Sequence, residues 1–162
     1  MRKIMKKNIY SFVEKDLRKD LDKDSGFLML RVSKLWEEAH EKALKRHYDI
    51  SYMQYAVLAS IHWLALHEQK SVTQIKLSKH TKISPMTISQ TLKTLEAKGY
   101  VCRRVYTGDV RAKCAFLTPK GEELLHKAFR VIYATDEKFF YSLGRNRQEF
   151  DFCMVKLLGE NE

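Results

Sequence analysis

Cysteine is scarce in this chain of 162 residues, which contains only Cys102, Cys114 and Cys153. An odd number leaves one thiol outside any disulfide pairing, and no two of them form the Cys-x-x-Cys spacing of metal or redox sites. This argues against a small secreted scaffold held together by disulfides. Reduced thiols in a cytoplasm are the simplest expectation.

Long apolar runs and catalytic signatures are missing too. Residues 55–66, the longest mostly apolar segment, are interrupted by His62 and fall short of the roughly 20 residues that cross a bilayer. The basic residues 1–7 are not followed by the apolar stretch of a secretory signal. No phosphate-binding glycine loop, His-Glu-x-x-His motif or nucleophile elbow occurs. We therefore expect a cytoplasmic protein that is not an enzyme, with no cofactor and no membrane partner.

Acidic residues are few in one segment. Residues 70–113, the basic segment, carry ten Lys or Arg and two Asp or Glu, a net +8 of the chain's formal +10. Charge concentrated in this way indicates an anionic partner, which from charge alone could be nucleic acid, a membrane surface or an acidic protein. The motifs within the basic segment have to decide among these partners.

Nothing in the sequence divides the chain into separate domains. It has two prolines, no Pro- or Ser-rich linker and no internal repeat, and its 44% hydrophobic and 31% charged residues are ordinary for a globular protein. We expect one domain with its own core. Its predicted class is mostly α with a small β-hairpin.

Two helices precede the basic segment. The first starts near Asp24, and the second runs from Ser51, a residue type favoured at N-caps, to about Glu68. Apolar positions of the first helix recur at spacings of three, four and seven, the period of one helix face. These positions are Leu28, Val32, Leu35, Trp36, Ala39 and Ala43.

The basic segment begins with two predicted helices joined by a short turn. Thr73 can cap the first helix, and the turn covers residues 81–83. Ser84 then caps the second helix, with Pro85 at the first helical position, where its missing N–H does no harm. Gly99 is a natural residue to follow the end of this helix.

The second of these helices has two contrasting faces. Ile88, Leu92 and Leu95, at i, i+4 and i+7, form its inner face. The opposite side offers hydroxyl and amide groups for base edges or phosphates, a methionine for a thymine methyl group and a lysine for a phosphate. Its residues are Met86, Thr87, Ser89, Gln90 and Lys93.

A β-hairpin is predicted next. Residues 100–106 are rich in β-branched and aromatic types, 107–109 give a turn signal, and 112–117 return in alternation. Asp109 lies two residues before Arg111. We expect its carboxylate to hold the Arg111 guanidinium by a bidentate ion pair. Where the anionic partner is DNA, Arg111 would then project into the minor groove in one orientation. The positive charge of the hairpin comes from Arg103, Arg104, Arg111 and Lys113.

Two more helices follow the hairpin. Thr118 and Pro119 again combine an N-cap with a proline at the first helical position, and a last helix follows Gly144. Both carry apolar residues at helical spacing, and long apolar helices at the end of a chain commonly pack on a partner. The apolar positions are Leu125, Phe129, Ile132, Phe139 and Leu143, then Phe150, Cys153, Met154, Leu157 and Leu158.

The order helix, turn, helix, hairpin is that of a winged helix-turn-helix, whose second helix enters the DNA major groove while the hairpin, or wing, touches backbone and minor groove. In these motifs the sequence resembles the MarR family of bacterial transcriptional regulators, over about residues 30–145. The matching residues are Thr73-Gln74, Ile83-Ser84, Thr87-Ile88-Ser89, Leu95-Glu96-Ala97-Lys98-Gly99-Tyr100-Val101, Asp109-x-Arg111 and Leu117-Thr118-x-x-Gly121.

The resemblance implies a homodimer that binds a pseudo-palindromic, double-stranded DNA operator through two winged helices. It places a winged helix-turn-helix DNA-binding lobe at about 51–117 and N- and C-terminal dimerisation helices at about 8–47 and 118–158, within a single domain of residues 1–162. Many relatives repress a nearby gene and release DNA when a small ligand, often an aromatic acid, or an oxidant or metal alters the dimer. The expected DNA contacts are Thr73, Ser84, Pro85, Met86, Thr87, Ser89, Gln90, Lys93, Arg103, Arg104, Asp109, Arg111 and Lys113.

Three positions depart from the family pattern. Gln90 stands where relatives commonly carry Arg, Lys93 where they often carry Asp, and Lys82 at a turn position that is often Gly. The two changes in the second helix bear on the operator sequence and not on the DNA-binding role.

The sequence leaves the means of regulation open. Four aromatic residues could line the family's effector pocket for a small aromatic ligand, or could serve only in packing. A metal- or thiol-responsive regulator is less favoured, because His126 has no histidine four residues away and no cysteine precedes Cys102. A winged-helix module that docks an acidic protein is the alternative to DNA binding. The four aromatic residues are Trp36, Tyr52, Tyr55 and Trp63.

Overall fold

The computed structural model describes residues 23–68, 72–106 and 109–161, with the backbone alone at 106 and 109–112. Within them, most residues are helical, and the strands form one two-stranded antiparallel hairpin. The predicted class, mostly α with a small β-hairpin, is confirmed. The chain divides into two compact units, residues 1–38 and 39–162.

The elements follow the order that the sequence predicts. Among the described residues, no helix combines the length and the apolar content needed to cross a membrane. In chain order the elements are α1 Ser25–Tyr48, α2 Tyr52–Glu68, α3 Gln74–Thr81, α4 Pro85–Ala97, β1 Val101–Tyr106, β2 Asp109–Leu117, α5 Pro119–Phe140, a 3₁₀ helix Tyr141–Asn146 and α6 Arg147–Asn161.

Helix α2 starts at a reciprocal cap. The Ser51 hydroxyl accepts a hydrogen bond from the Gln54 amide at 3.1 Å, and Gln54 Oε1 accepts one from the Ser51 amide at 3.2 Å. The Tyr52 amide donates to Glu41 of α1 at 2.6 Å. Donors that a helix start leaves unpaired are thus satisfied, and the predicted N-cap at Ser51 is confirmed.

The hydrophobic core lies in the unit of residues 39–162. Helix α2 supplies its centre, and one face each of α4 and α5 packs with it. The inner face predicted for α4 is confirmed, because its periodic leucines and isoleucine are all buried. Core residues of these three helices include Val57, Leu58, Ile61, Leu64, Ile88, Leu92, Leu95, Leu124, Leu125, Ala128 and Ile132.

Helix α1 is present as predicted, but much of its apolar face is exposed. Its buried residues are His40 and Leu44, whereas Leu28, Val32 and Leu35 are 38%, 42% and 58% exposed. The predicted periodicity is therefore present, but in a single chain that face is in contact with water. An amphipathic stripe in the sequence specifies a face to be covered and does not specify what covers it.

The hairpin is longer than predicted on its second strand. The sequence placed the returning strand at 112–117 and Asp109 in the turn, but β2 already begins at Asp109, opposite Tyr106. The register shifts beside Tyr106, so the strands are irregular at the tip. Closer to the base, Arg103 lies opposite Ala115.

The long helix after the hairpin is shorter than its apolar spacing predicts. Helix α5 ends at Phe140, and Leu143 falls in the 3₁₀ helix instead of continuing the stripe. Gly144 breaks this segment with a φ of 50°, a conformation that glycine adopts without strain. The predicted break before the last helix is therefore confirmed.

Candidate nucleic-acid interface

The start of α4 is built from the predicted cap. The Ser84 hydroxyl accepts a hydrogen bond from the Thr87 amide at 3.2 Å, and the two side-chain oxygens are 2.8 Å apart. Pro85 occupies the first turn as predicted. Ser84, Pro85 and Thr87 are all exposed, so the cap lies on the surface where the helix would meet a ligand.

The turn between α3 and α4 is held by side chains of α3. Gln74 Nε2 donates to the carbonyl oxygen of Pro85 at 2.8 Å, and Ser78 donates to that of Ile83 at 2.6 Å. Thr73 accepts from the Lys76 amide and caps α3. Lys82 adopts a φ of 57°, the left-handed conformation for which glycine is the usual choice. Gln74 and Ser78 position α4, a role that the sequence pattern did not reveal.

The outer side of α4 is exposed, and none of the DNA contacts predicted on this helix is acidic. Met86 is 76% exposed, Thr87, Gln90 and Lys93 are also exposed, and Ser89 is half-buried. The structure therefore brings the predicted residues of this helix onto one accessible surface, which presents hydroxyl, amide, thioether and ammonium groups.

A groove of about 340 Å³ runs beside this surface and adds residues from α2. Ser51 and Gln54 line it together with Met86, Thr87 and Gln90. The start of α2 thus lies next to the exposed side of α4. The N-cap residue Ser51 located the helix start in the sequence, but nothing in the sequence analysis placed Gln54 at the candidate interface.

The hairpin residues divide into two groups. Arg104 and Lys113 are exposed, as expected of DNA contacts. Arg103 differs, because its side chain is 20% exposed and Nε donates to Glu96 Oε2 of α4 at 2.8 Å. The guanidinium of Arg103 therefore forms an ion pair within the protein, and its predicted contact with DNA stays a prediction. Its hydrogen bond is also the main cause that lowers the pKa of the Glu96 carboxyl.

The tip of the hairpin carries the remaining predicted contacts. The backbone places Asp109 and Arg111 on β2. Their side chains lie outside the described residues, as do residues 107–108 of the turn. The ion pair predicted between Asp109 and Arg111 therefore stays a prediction.

The base of the hairpin is fastened to its surroundings. The Ala115 amide donates to the Val72 carbonyl at 2.8 Å, and the Thr118 hydroxyl donates to the Gly99 carbonyl at 2.7 Å. Gly121 lies so close to Tyr100 that an added Cβ would be 2.0 Å from its carbonyl oxygen. These contacts explain the Leu-Thr-x-x-Gly pattern, since Thr118 and Gly121 close α5 onto the start of β1.

Three of the four aromatic residues expected at an effector site, Tyr52, Tyr55 and Trp63, lie on α2. Tyr52 and Tyr55 have ring centroids 6.1 Å apart, and burial raises the pKa of the Tyr55 phenol. Trp63 is 45% exposed and stacks on His67 and His80 at 4.3 and 4.8 Å. Trp36 belongs to the unit of residues 1–38.

A larger cleft, of about 1360 Å³, lies between α1 and α5 and has none of those aromatic residues in its lining. Ala39, Ala43, Val131 and Ala134 are among its apolar residues, and no Asp or Glu lines it. The resulting surface suits an anion with an apolar part. The basic residues in the lining are Lys42, Arg46, Lys127, Arg130 and Lys138.

Histidine and cysteine give no compact ligand set in the described residues, where no group of three His, Cys, Asp or Glu could hold a metal ion. The His62 and His126 rings are 6.1 Å apart. Cys114 is buried opposite Arg104, while Cys102 is half-buried opposite Phe116, so the two thiols do not face each other directly.

Comparisons with known proteins agree with this geometry. A family model described as "MarR family" matches residues 50–113. The uncharacterized HTH-type transcriptional regulator YdcH of Bacillus subtilis (strain 168) is 30% identical over 115 residues, which cover 71% of this chain and 77% of the relative.

Solved structures share the fold. CouR from Rhodococcus jostii RHA1, bound to p-coumaroyl-CoA, has a TM-score of 0.72 and 26% identity, with 86% of this chain and 92% of CouR covered. MepR from S. aureus, solved as a DNA complex, has a TM-score of 0.72 and 21% identity, with 88% and 100% covered.

Proposed function

The chain belongs to the MarR family of transcriptional regulators, and we propose from this that it is a homodimeric repressor of a pseudo-palindromic, double-stranded DNA operator. The lobe at about 51–117 binds DNA, and the ranges of about 8–47 and 118–158 form the dimer; residues 8–22 of the first range lie outside the described residues. A cytoplasmic location follows from the need to reach DNA. No catalytic step is part of this function.

The exposed side of α4 carries the proposal. Its accessible residues Met86, Thr87, Gln90 and Lys93 have the groups that read base edges or pair with phosphates. Arg104 and Lys113 add exposed positive charge on the adjoining hairpin. A helix in the major groove with a charged wing beside it is a recognised docking geometry for DNA.

Dimerisation is supported by apolar surface that one chain leaves exposed. In α6, Phe152 and Val155 are each 68% exposed, and Leu157 and Leu158 are 55% and 56% exposed. Such a patch on a soluble protein marks an interface. The exposed face of α1 supports the same conclusion for the unit of residues 1–38.

An anionic effector is the proposed release signal. CouR is solved with p-coumaroyl-CoA, and the cleft between α1 and α5 combines an apolar lining with five Lys or Arg. An aromatic anion in this cleft would contact α5, which is directly fastened to the base of the hairpin through Thr118 and Gly121. Addition of aromatic acids and thioesters to the protein–operator complex should release DNA, as measured by fluorescence anisotropy.

Selection from random duplex DNA tests the DNA-binding function. A single enriched, two-fold related sequence is expected, with an affinity that falls steeply as salt rises because phosphate contacts release counterions. Replacement of Arg111 by Ala should weaken binding to the selected operator in a gel-shift titration. An acidic protein partner, together with no enrichment even at low salt, would instead favour the interaction module.

A further inference from the structure

The basic segment contains two acidic residues, Glu96 and Asp109. A carboxylate near DNA phosphates opposes binding by Coulomb repulsion, so an acid in this position requires a compensating role. Glu96 lies near the end of α4, and its side chain is 37% exposed. The contacts of this carboxylate supply such a role.

Both carboxylate oxygens of Glu96 bind β1. Oε1 accepts a hydrogen bond from the Arg103 amide at 3.2 Å, and Oε2 accepts one from Arg103 Nε at 2.8 Å and another from Nη2. Lys113 of β2 adds a favourable charge interaction with the same carboxylate. One side chain of α4 therefore holds the backbone and the side chain of the wing at a single residue.

The position of the Glu96–Arg103 contact along β1 shows where the hairpin is held. Arg103 lies opposite Ala115, and the Ala115 amide donates to the Val72 carbonyl at 2.8 Å on the outer edge of β2. The hairpin is thus held on both edges at the same level, by Val72 on one side and by Glu96 on the other. Beyond this level the strands continue towards the tip, with Arg104 and Lys113 exposed.

The turn between α4 and β1 is a separate attachment. The Gly99 amide donates to the Glu96 carbonyl, and the Tyr100 amide to the Leu95 carbonyl, each at 2.9 Å. The attachment at Arg103, further along β1, is the one that joins the wing directly to α4 beyond this turn. Together with the Val72 contact on β2, it restricts pivoting of the hairpin about its base.

We propose that Glu96 is a positioning residue that sets the angle between α4 and the wing. It holds Arg104 and Lys113 where they can contact the phosphates of the DNA backbone while α4 occupies the major groove. This inference rests on the proposed DNA-binding function. The repulsion between Glu96 and DNA is outweighed because a correctly oriented wing makes its phosphate contacts without first being ordered.

The direction in which one substitution changes the affinity for DNA tests the inference. Glu96→Gln removes a negative charge, so simple electrostatics predicts tighter DNA binding. The positioning role predicts the opposite, a dissociation constant for the selected operator that rises about tenfold. Arg103→Lys keeps the charge but lacks the fork that binds the carboxylate, and it should also weaken binding.

Glu123→Gln is the matched control. Glu123 pairs with Lys127 within α5, so this variant changes net charge by the same amount without touching the wing. Its affinity for the operator should equal or slightly exceed that of the parent. Thermal unfolding of each variant identifies any that does not fold, and Arg103→Lys decides alone if Glu96→Gln fails.

Hydroxyl-radical footprinting separates positioning from general stability. Glu96→Gln should lose protection at the operator flanks that the wing covers and keep the base preference read by α4. The slope of log affinity against log salt should fall by about one for each phosphate that the wing no longer reaches. The double variant Glu96→Gln/Arg103→Lys should bind no more weakly than the weaker single variant, because both remove one interaction.

Two results would overturn the inference. The Glu96→Gln variant could bind the operator as tightly as the Glu123→Gln variant and give the same protection of the operator flanks. Glu96 would then have no role in DNA binding, while the DNA-binding function itself would stand. Alternatively, the parent could select no operator at all, which would remove the DNA-binding function and the positioning role together.

Discussion

The packing around Gly121 restricts this position to glycine. An alanine there would place Cβ 2.0 Å from the Tyr100 carbonyl oxygen and 2.9 Å from its carbonyl carbon. Backbone atoms cannot move aside as the end of a flexible side chain can, so α5 would have to shift away from β1.

We therefore expect Gly121→Ala to lower the free energy of unfolding by about 2–3 kcal/mol, although alanine is the better helix former. Urea denaturation measures this change. Gly159→Ala in α6 is the control, because its added Cβ would meet no atom within 4 Å apart from its chain neighbours and the backbone of its own helix. A Gly121→Ala protein as stable as the parent would show that α5 and β1 are not in the close contact described.

The Glu96 carboxyl gives a pH dependence of stability. Its hydrogen bond with Arg103 lowers its pKa below the ordinary value of 4.5. A carboxyl whose pKa is lowered by folding stabilises the native state above the ordinary value, and this contribution is lost as the pH falls through the lowered pKa. The urea midpoints of the parent and Glu96→Gln should differ at about pH 7 and approach each other as the pH falls through the lowered pKa of Glu96. A constant difference would argue against the ion pair.

At the scale of the element, α4 is held at both ends by side chains. Gln74 binds the Pro85 carbonyl at its start, and Glu96 binds Arg103 near its end. Between these points the buried face packs on the core and the other face stays exposed. Residues of the exposed face are therefore displayed on a rigid support, which favours base recognition over non-specific contact.

Two exposed residues of α4 should have separable effects on binding. Gln90→Ala should relax the preference at one base pair of the selected operator, at a cost of about 1–3 kcal/mol for the preferred base. Lys93→Ala should weaken all sequences about equally and reduce the salt slope by about one. Quantitative binding to a library of single-base operator variants distinguishes the two. If both variants weaken all sequences alike, Gln90 does not read a base.

At the scale of the whole molecule, the exposed apolar surface of α6 calls for a partner. Val155 and Leu158 lie one turn apart and are 68% and 56% exposed. A helix that exposes this much apolar side chain gains free energy by covering it, at roughly 25 cal/mol per Å² removed from water.

The double substitution Val155→Glu/Leu158→Glu should convert the dimer to monomers, because charges would be buried without partners. Sedimentation equilibrium at micromolar concentration measures the change, and operator affinity should fall with it since two half-sites are no longer bound together. Lys156→Glu, at an exposed charged position between them, should leave the dimer intact. A parent that sediments as a monomer would contradict the assembly.

Local rules in the sequence determined where the elements begin and which face of α4 is buried. Ser84 and Pro85, Thr118 and Pro119, and Gly144 act through hydrogen bonds and dihedral angles within a few residues, so they are readable without the fold. The inner face of α4 follows from a period of 3.6 residues. The concentration of positive charge in the basic segment, which indicates an anionic partner, is likewise a property of the chain alone.

Only the tertiary structure decided which charges face outward and which residues meet. Arg103 and Arg104 are adjacent in sequence, and alternation along the strand points them to opposite faces. Only the packing of α4 beside β1 decided that Arg103 binds Glu96 while Arg104 is exposed. Gln54 joins the α4 surface, and Trp63 stacks on His80 of α3, through contacts between elements. Such contacts depend on how helices pack, which no spacing along one helix can specify.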